Sequence, residues 1–402
     1  MRDFWQFSIA QEVVFGPGAC KKVGKIARRL KASKALVVTD KVLANLGMVE
    51  RIERPLTEEG IGFKVFDGGC EDPPIRVAEE CVAFAKGGGF DLLIGLGGGS
   101  NIDLAKAAAV VLQFGGSCRD YFGEYKVPGP ILPHIAIPTT SGTGSEVSPV
   151  SVLTDEEKKI KIGISDNLLR PRVALVDPEL CLTMPPKVTA DSGMDALCHA
   201  IECYTNILYR YLPVPEDADV VFSGKQPLAD CLAERAIELI GANLRLAVDQ
   251  GNNLEARTQM ALGSLLAGMA FSNAGVAAIH ALSFPIGGLT KATHGACNGV
   301  MLPYIMQYNL PVCPEEMANI AQLMGVEVEG LSLGEAAQSG VDAVRALIRD
   351  IRFPQTLTDL GVKEKDVKWI AENTIGITRL MRGNPRRIGV EDLEAIVRSA
   401  LG

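Results

Sequence analysis

The chain has 402 residues, 47% hydrophobic and 22% charged, the profile of a globular protein with material for about two or three domains. A formal net charge of −8 without any basic tract argues against nonspecific nucleic-acid binding and against attraction to an anionic membrane surface. No segment approaches an uninterrupted transmembrane span, residues 1–6 lack the pattern of a secretion signal, and none of the ten cysteines forms a Cys-x-x-Cys pair, so the expected setting is a reducing cytoplasm.

In chain order, the first half alternates short apolar runs with helix-like stretches. Residues 12–15 read as an N-terminal strand. Residues 35–39 are a buried strand followed by a helix over 41–59. A second strand (62–66) precedes a helix over 75–86, and a third (91–96) leads through a glycine-rich turn into a helix over 102–112. Residues 134–137 and 173–176 supply further strands. This alternation predicts an α/β domain with a mostly parallel, doubly wound sheet, whose ligands sit at the carboxyl ends of the strands.

Three features at those strand ends carry chemistry. Asp40 closes the first strand, where a carboxylate accepts the ribose hydroxyls of an adenosine and repels a 2′-phosphate; this favours NAD over NADP, the alternative being a helix N-cap. Gly97-Gly98-Gly99-Ser100-Asn101-Ile102-Asp103 follows the third strand and opens a helix, so backbone N–H groups can approach a pyrophosphate at a helix N-terminus, with Ser100 as cap or phosphate contact. A tight turn explains one glycine run. A second loop, Pro138-Thr139-Thr140-Ser141-Gly142-Thr143-Gly144-Ser145-Glu146, also follows a strand, and the pair suggests a long phosphate-bearing ligand. The acid precedes the glycines, unlike the order of the Gly-x-Gly-x-x-Gly fingerprint, so the arrangement is Rossmann-like but not the ordinary Rossmann one.

From about Pro185 the strands stop. Helices are expected over 188–204, 227–248, 254–271, 276–284, 300–308, 314–324, 333–349 and 391–401. Met184-Pro185-Pro186 breaks either element and divides the chain into an α/β domain (1–185) and an all-α domain (186–402). Residues 208–226 lack periodicity and read as an exposed excursion.

Three of the four histidines fall in this helical half. Asp195 and His199 are an i,i+4 pair on one helix face. His280 lies in another apolar helical run, and His294 stands just before a helix start. One carboxylate and three imidazoles form a complete donor set for Fe²⁺ or Zn²⁺. Phe271 and Phe284 either line an apolar substrate pocket or pack as core. Arg382, in the arginine-rich stretch 379–387, either reaches an anionic substrate or faces solvent.

Together these motifs resemble the iron-containing (group III) alcohol dehydrogenases. The matching residues are Gly97-Gly98-Gly99-Ser100-x-x-Asp103-x-Ala105-Lys106, the loop Pro138 to Glu146, Met194-Asp195-Ala196-Leu197-x-His199-Ala200-x-Glu202, His280-Ala281-Leu282-x-x-Pro285-x-Gly287, His294-Gly295, and Gly383-Asn384-Pro385-Arg386. The resemblance implies an NAD-binding α/β domain and a helical metal-binding domain, an architecture shared with dehydroquinate synthase. It implies Asp195, His199, His280 and His294 as ligands of Fe²⁺ or Zn²⁺. On the cofactor side it implies Asp40 for the adenosine ribose and Gly98, Gly99 and Ser100 for the pyrophosphate cradle, with Gly97 and Asp103 of the same motif also cofactor-binding. Thr139, Thr140 and Thr143 would run along the phosphates and nicotinamide ribose, and Lys161 would reach the nicotinamide-side ribose.

The implied reaction is hydride transfer interconverting an alcohol, whether short-chain, diol or hydroxy acid, with its aldehyde or ketone. The implied assembly is a homodimer or larger homo-oligomer, with residues 12–15 as a shared edge. Two departures stand out. Many family members carry His-x-x-x-His where this chain has His280 and Phe284; Phe284 cannot relay a proton, so the proton is expected to leave through ribose hydroxyls and water. The excursion 208–226 is also longer than usual. A dehydroquinate synthase-like lyase would need a clustered Lys/Arg phosphate site that the sequence lacks. A redox-inactive NAD-binding protein would not need the intact donor set.

Overall fold

Val37 and Val38 are neighbours on one strand and both are wholly buried. Successive strand residues point to opposite faces, so the sheet that holds them must be covered on both sides. The computed structural model, which describes residues 1–157 and 160–402, has that arrangement. Its strands are β1 (Glu12–Phe15), β2 (Lys34–Asp40), β3 (Gly62–Gly69), β4 (Leu92–Gly97), β5 (Gly123–Glu124), β6 (His134–Pro138), β7 (Val150–Asp155), β8 (Ile160–Ser165) and β9 (Val173–Val176). The first helices are α1 (Val23–Arg29), α2 (Lys41–Asn45), α3 (Glu50–Glu58), α4 (Ile75–Ala85) and α5 (Gly99–Phe114). The chain divides into two units, one of residues 8–183 and one of residues 184–402 joined by 1–7.

In the α/β unit, six strands pair in the order β1-β9-β6-β4-β2-β3, all parallel. Leu36, Val38 and Leu93 face one core, packed with Ala78 and Cys81 of α4 and Leu104 and Ala108 of α5. Ala35, Val37, Leu92, Ile94 and Leu96 face the other, with Val23 and Ile26 of α1 and Ile52 and Leu56 of α3. Each fully buried Val, Leu or Ile among them contributes roughly 1.5–3 kcal/mol of transfer free energy. After β2 the chain adds β3 on one side, then returns to place β4 on the other. The carboxyl ends of β2 and β4 therefore flank the topological switch point, where such sheets bind ligands.

Several expectations are corrected here. The helix expected over 41–59 is two helices, because Gly47 adopts φ +76° and breaks the run. Helix α5 starts at Gly99 rather than Ile102, since Gly98 already has the extended geometry of an N-cap. A separate three-stranded sheet, β5-β8-β7, was not expected; its β7 and β8 are antiparallel. Residues 1–7 group with the helical unit, where Arg2 donates to the carbonyls of Pro215 and Ala218.

The helical unit continues with α6 (Pro186–Tyr204), α7 (Pro227–Asp249), α8 (Leu254–Ala274), α9 (Ala278–Thr290), α10 (His294–Asn309), α11 (Pro314–Leu323), α12 (Leu333–Asp350), α13 (Val367–Ile375), α14 (Thr378–Met381) and α15 (Val390–Ser399). Helix α6 is buried along most of its length, with Met194, Leu197, Cys198 and Ile201 in the core. Helix α9 does not stop before Pro285 but continues through it to Thr290. Helix α10 begins at His294 itself, capped by Thr293. Helices α13 and α14 had not been expected. Among the described residues, no single helix is long and apolar enough to cross a membrane.

Candidate active site

In the helical unit, α6 presents Asp191, Asp195, His199 and Glu202, a spacing of four, four and three that keeps them on one side of the helix. The start of α10 lies hard against α6: a Cβ on Gly295 would sit 2.1 Å from the Asp191 carbonyl, so only glycine allows the approach. Asp191 also accepts a hydrogen bond from the Thr293 hydroxyl at 2.8 Å and one from Lys187 at 2.6 Å. These contacts fix the turn that delivers His294. His280 is delivered by the first turn of α9, where Glu202 accepts the Ile279 backbone N–H at 2.6 Å.

Donor atoms of Asp195, His280 and His294 lie within 4.8 Å of one another. Asp195 and His280 are buried, while the His294 side chain keeps 30% exposure, so the trio opens on one side. A carboxylate oxygen and two imidazole nitrogens at this spacing are a donor set that suits a divalent transition metal. His199, the fourth expected ligand, is adjacent but stands outside that trio. Its ring stacks between Phe271 (centroids 4.2 Å apart) and His280 (4.6 Å). Burial pushes the Asp195 carboxyl up. The fields of His199, His294 and His280 and a hydrogen bond from Asn298 outweigh it and hold the group below the usual carboxylate range.

Asn298, one turn after His294, had not been singled out. Its Nδ2 lies 2.7 Å from Asp195 Oδ1 and 3.1 Å from the Nε2 atoms of both His280 and His294, while its Oδ1 is buried without a partner. Glu202, noted only as a motif member, binds His280 Nδ1. Both lay at helical spacing from an expected ligand, and that was the signal available. Phe284 lies 6.1 Å from the His294 ring, so both expected pocket phenylalanines border histidines of the expected donor set. Arg382 ends α14, half-buried. The neighbouring Gly-Asn-Pro-Arg motif is a clamp: Asn384 and Asn309 exchange amide hydrogen bonds, and Arg386 stacks over Tyr308 at 4.1 Å.

In the α/β unit the expected cofactor residues gather at the carboxyl ends of β2, β4 and β6. Gly97 takes φ +146°, and its carbonyl accepts the Thr139 N–H at 3.0 Å, which joins the two loops. A Cβ on Gly99 would lie 2.8 Å from the Thr143 side chain, and one on Gly98 would lie 3.7 Å from Thr140. Ser100 Oγ accepts the Asp72 N–H at 3.3 Å, and Asp72 pairs with Lys161 at 2.7 Å, so Lys161 connects to the cradle through Asp72. Asp40 caps α2 through Leu43 N at 2.9 Å and accepts from Asn101 at 2.7 Å.

Asp103 is placed behind the loops. Its carboxylate takes hydrogen bonds from Ser145 Oγ and Val152 N and pairs with Lys106. Lys106, wholly buried, also donates to Ser145, Ser148 and the Val150 carbonyl. Burial drives its pKa down to about 8 against the pull of Asp103. Asp103 and Lys106 thus brace the second loop from within. His134 opens β6 and is buried, and burial holds its pKa at about 3.

The sequence profile of the iron-containing alcohol dehydrogenases matches residues 10–178, and that of the C-terminal part of the same family matches residues 220–401. The chain is 39% identical to the long-chain-alcohol dehydrogenase 1 of Geobacillus thermodenitrificans (strain NG80-2), over 96% of this chain and 94% of that one. It is 37% identical to the NAD-dependent methanol dehydrogenase of Bacillus methanolicus, over 98% and 99% respectively. A crystal structure of a 1,3-propanediol oxidoreductase superposes with a TM-score of 0.93 at 38% identity, covering 99% of this chain and all of that one.

Proposed function

The chain belongs to the iron-containing alcohol dehydrogenase family, and from that premise we propose how its own residues carry the reaction. It is an NAD-dependent oxidoreductase that interconverts an alcohol with its carbonyl product and uses a divalent metal. The lyase alternative is not favoured, since the matched relatives are dehydrogenases and reductases. The observation that carries the site assignment is the approach of Asp195, His280 and His294 to within 4.8 Å, with His199 stacked beside them.

On this reading Asp195, His199, His280 and His294 hold Fe²⁺, or Zn²⁺ in its place. A cation there supplies Lewis-acid polarisation of a hydroxyl or carbonyl oxygen, and NAD supplies the hydride carrier. Glu202 keeps the proton of His280 on Nδ1, so that Nε2 faces the other donors. Phe271 packs against the His199 ring, and Phe284 lies beside His294, the histidine that keeps solvent exposure. Phe284 offers no atom to hold a proton, so the hydroxyl proton passes to water rather than to a side chain at that position. In the α/β unit the N–H groups of Gly98, Gly99 and Ser100 hold the pyrophosphate, and Gly97 ends β4 and ties the two loops together. Thr139, Thr140 and Thr143 line the path, Asp40 receives the adenosine ribose, Lys161 reaches the other ribose, and Asp103 braces the loop.

The relatives named above act on a long-chain alcohol, methanol and a 1,3-diol, so the substrate we propose is an uncharged primary alcohol or diol. The two phenyl rings beside the proposed ligands favour that over an anionic hydroxy acid. We place the enzyme in the cytoplasm, where its free thiols stay reduced. We also propose that it assembles as a homodimer or larger homo-oligomer through edge strand β1.

The test is to strip metal with a chelator, restore Fe²⁺ or Zn²⁺, and screen NAD⁺ reduction over alcohols. Turnover should vanish and return with metal while NADH binding persists throughout. Turnover indifferent to metal overturns the assignment.

A further inference from the structure

Asn101 stands on the first turn of α5, and its amide lies at the switch point between β2 and β4. Its Nδ2 donates to Asp40 Oδ2 at 2.7 Å and lies 3.4 Å from the Leu96 carbonyl. Two glycines make the space: a Cβ on Gly69 would lie 2.1 Å from Asn101 Oδ1, and a Cβ on Gly97 would lie 2.3 Å from Nδ2. The side chain is buried, and Oδ1 has no hydrogen-bond partner. A buried acceptor left unmet is a substantial penalty, which an apolar side chain of similar volume would avoid. Packing therefore does not account for an amide here; its hold on Asp40 does.

We propose that Asn101 is a positioning residue that fixes the Asp40 carboxylate for the adenosine ribose and thereby sets the preference for NAD over NADP. The inference rests on the assignment of Asp40 to that ribose. Leu43 N donates to Oδ1 of Asp40 at 2.9 Å, and Asn101 donates to Oδ2. A carboxylate has about four lone-pair positions. One protein donor on each oxygen leaves one position on each for the ribose 2′- and 3′-hydroxyls. A carboxylate tied at both oxygens cannot rotate away from a 2′-phosphate, so the phosphate meets a fixed like charge. An untied carboxylate turns aside and the discrimination weakens.

The test measures dissociation constants of NADH and NADPH by nicotinamide fluorescence on the full chain, metal-stripped and metal-loaded. The variants are Asn101→Ala, Asn101→Leu, Asp40→Ala and the double variant Asn101→Leu/Asp40→Ala. Asn101→Ala and Asn101→Leu should weaken NADH binding about tenfold, the scale of one lost hydrogen bond to a charged group, and narrow the NADH/NADPH ratio by a similar factor. Asn101→Leu should retain or raise the melting temperature, which separates positioning from structural support. In the Asp40→Ala background the Asn101→Leu effect on the ratio should disappear. An unchanged ratio in both single Asn101 variants, or the same narrowing with and without Asp40, overturns the proposal. A ratio unmoved by Asp40→Ala instead removes the ribose assignment on which it rests.

Discussion

Glu202 places one carboxylate oxygen 2.5 Å from Nδ1 of His280 and the other 2.6 Å from the backbone nitrogen of Ile279. One side chain on α6 thus sets both the tautomer of a proposed ligand on α9 and the entry of the helix that carries it. Carboxylates behind metal-binding histidines orient the ring and raise its basicity, and their loss typically weakens metal binding about 10–100-fold. Glu202→Gln should show a loss on that scale in competition with a chromophoric chelator, with NADH affinity unchanged. Equal metal affinity in the two proteins would reduce Glu202 to a backbone anchor.

Gly99 is required for a different reason. The Cβ that any other residue would add there lies 2.8 Å from the Thr143 side chain, inside contact distance. Gly99→Val should push the two loops apart and weaken NADH binding by roughly tenfold or more, because the backbone N–H groups then no longer converge on the pyrophosphate. Metal affinity should be unaltered, since the donors belong to the other unit. NADH titration beside chelator competition reads both quantities on one preparation.

Glu146, buried in the second loop, is driven by burial from an ordinary 4.5 to about 7, against its backbone hydrogen bond and the field of Lys106. A pKa raised in the folded state means the folded chain holds that proton more tightly than the unfolded chain. The stabilisation is therefore complete below pH 4.5 and is lost as pH rises through 7. Glu146→Gln removes this loss. Its stability relative to the wild type should climb between pH 5 and 8, reaching on the order of 1–3 kcal/mol. Urea titrations across that range test it; a difference independent of pH would mean the carboxyl is not buried as described.

The sheet strands were legible because burial on both faces demands unbroken apolar runs such as Ala35 to Val38, and the glycine turn because it follows one. Strands β7 and β8 were missed: half-buried, interleaved with Ser, Thr and Lys, they acquire strand character only by pairing with each other. Helical spacing puts Asp195 and His199 on one side of α6, but the trio that comes together is Asp195, His280 and His294, from three different helices. That His199 would stack on His280 depends on how α6, α8 and α9 pack, and spacing does not encode it. Asp103 read as a cofactor residue because it ends a glycine loop, yet Ser145, 42 positions on, turns it inward. Asp40 and Asn101, 61 positions apart, meet only because β2 and β4 are neighbours in the sheet.

Phe271 and Phe284 look alike in sequence and differ in place, which lets one experiment separate support from substrate recognition. The Phe271 ring lies 15° from parallel with His199 at 4.2 Å and keeps only 8% exposure. Truncating it opens a cavity behind a proposed ligand, His199, so Phe271→Ala should lower stability by about 3–5 kcal/mol and weaken metal binding with it. The Phe284 ring is half-buried and tilted 37° from His294 at 6.1 Å, beside the histidine that keeps 30% exposure. Phe284→Ala should cost much less stability and instead shift kcat/KM towards longer alcohols, about 10–200-fold per methylene accommodated being the range hydrophobic pockets achieve. A series of straight-chain primary alcohols assayed beside thermal melts distinguishes the two. If Phe284→Ala destabilises as strongly as Phe271→Ala and leaves the chain-length profile flat, the ring belongs to the core and the substrate wall lies elsewhere.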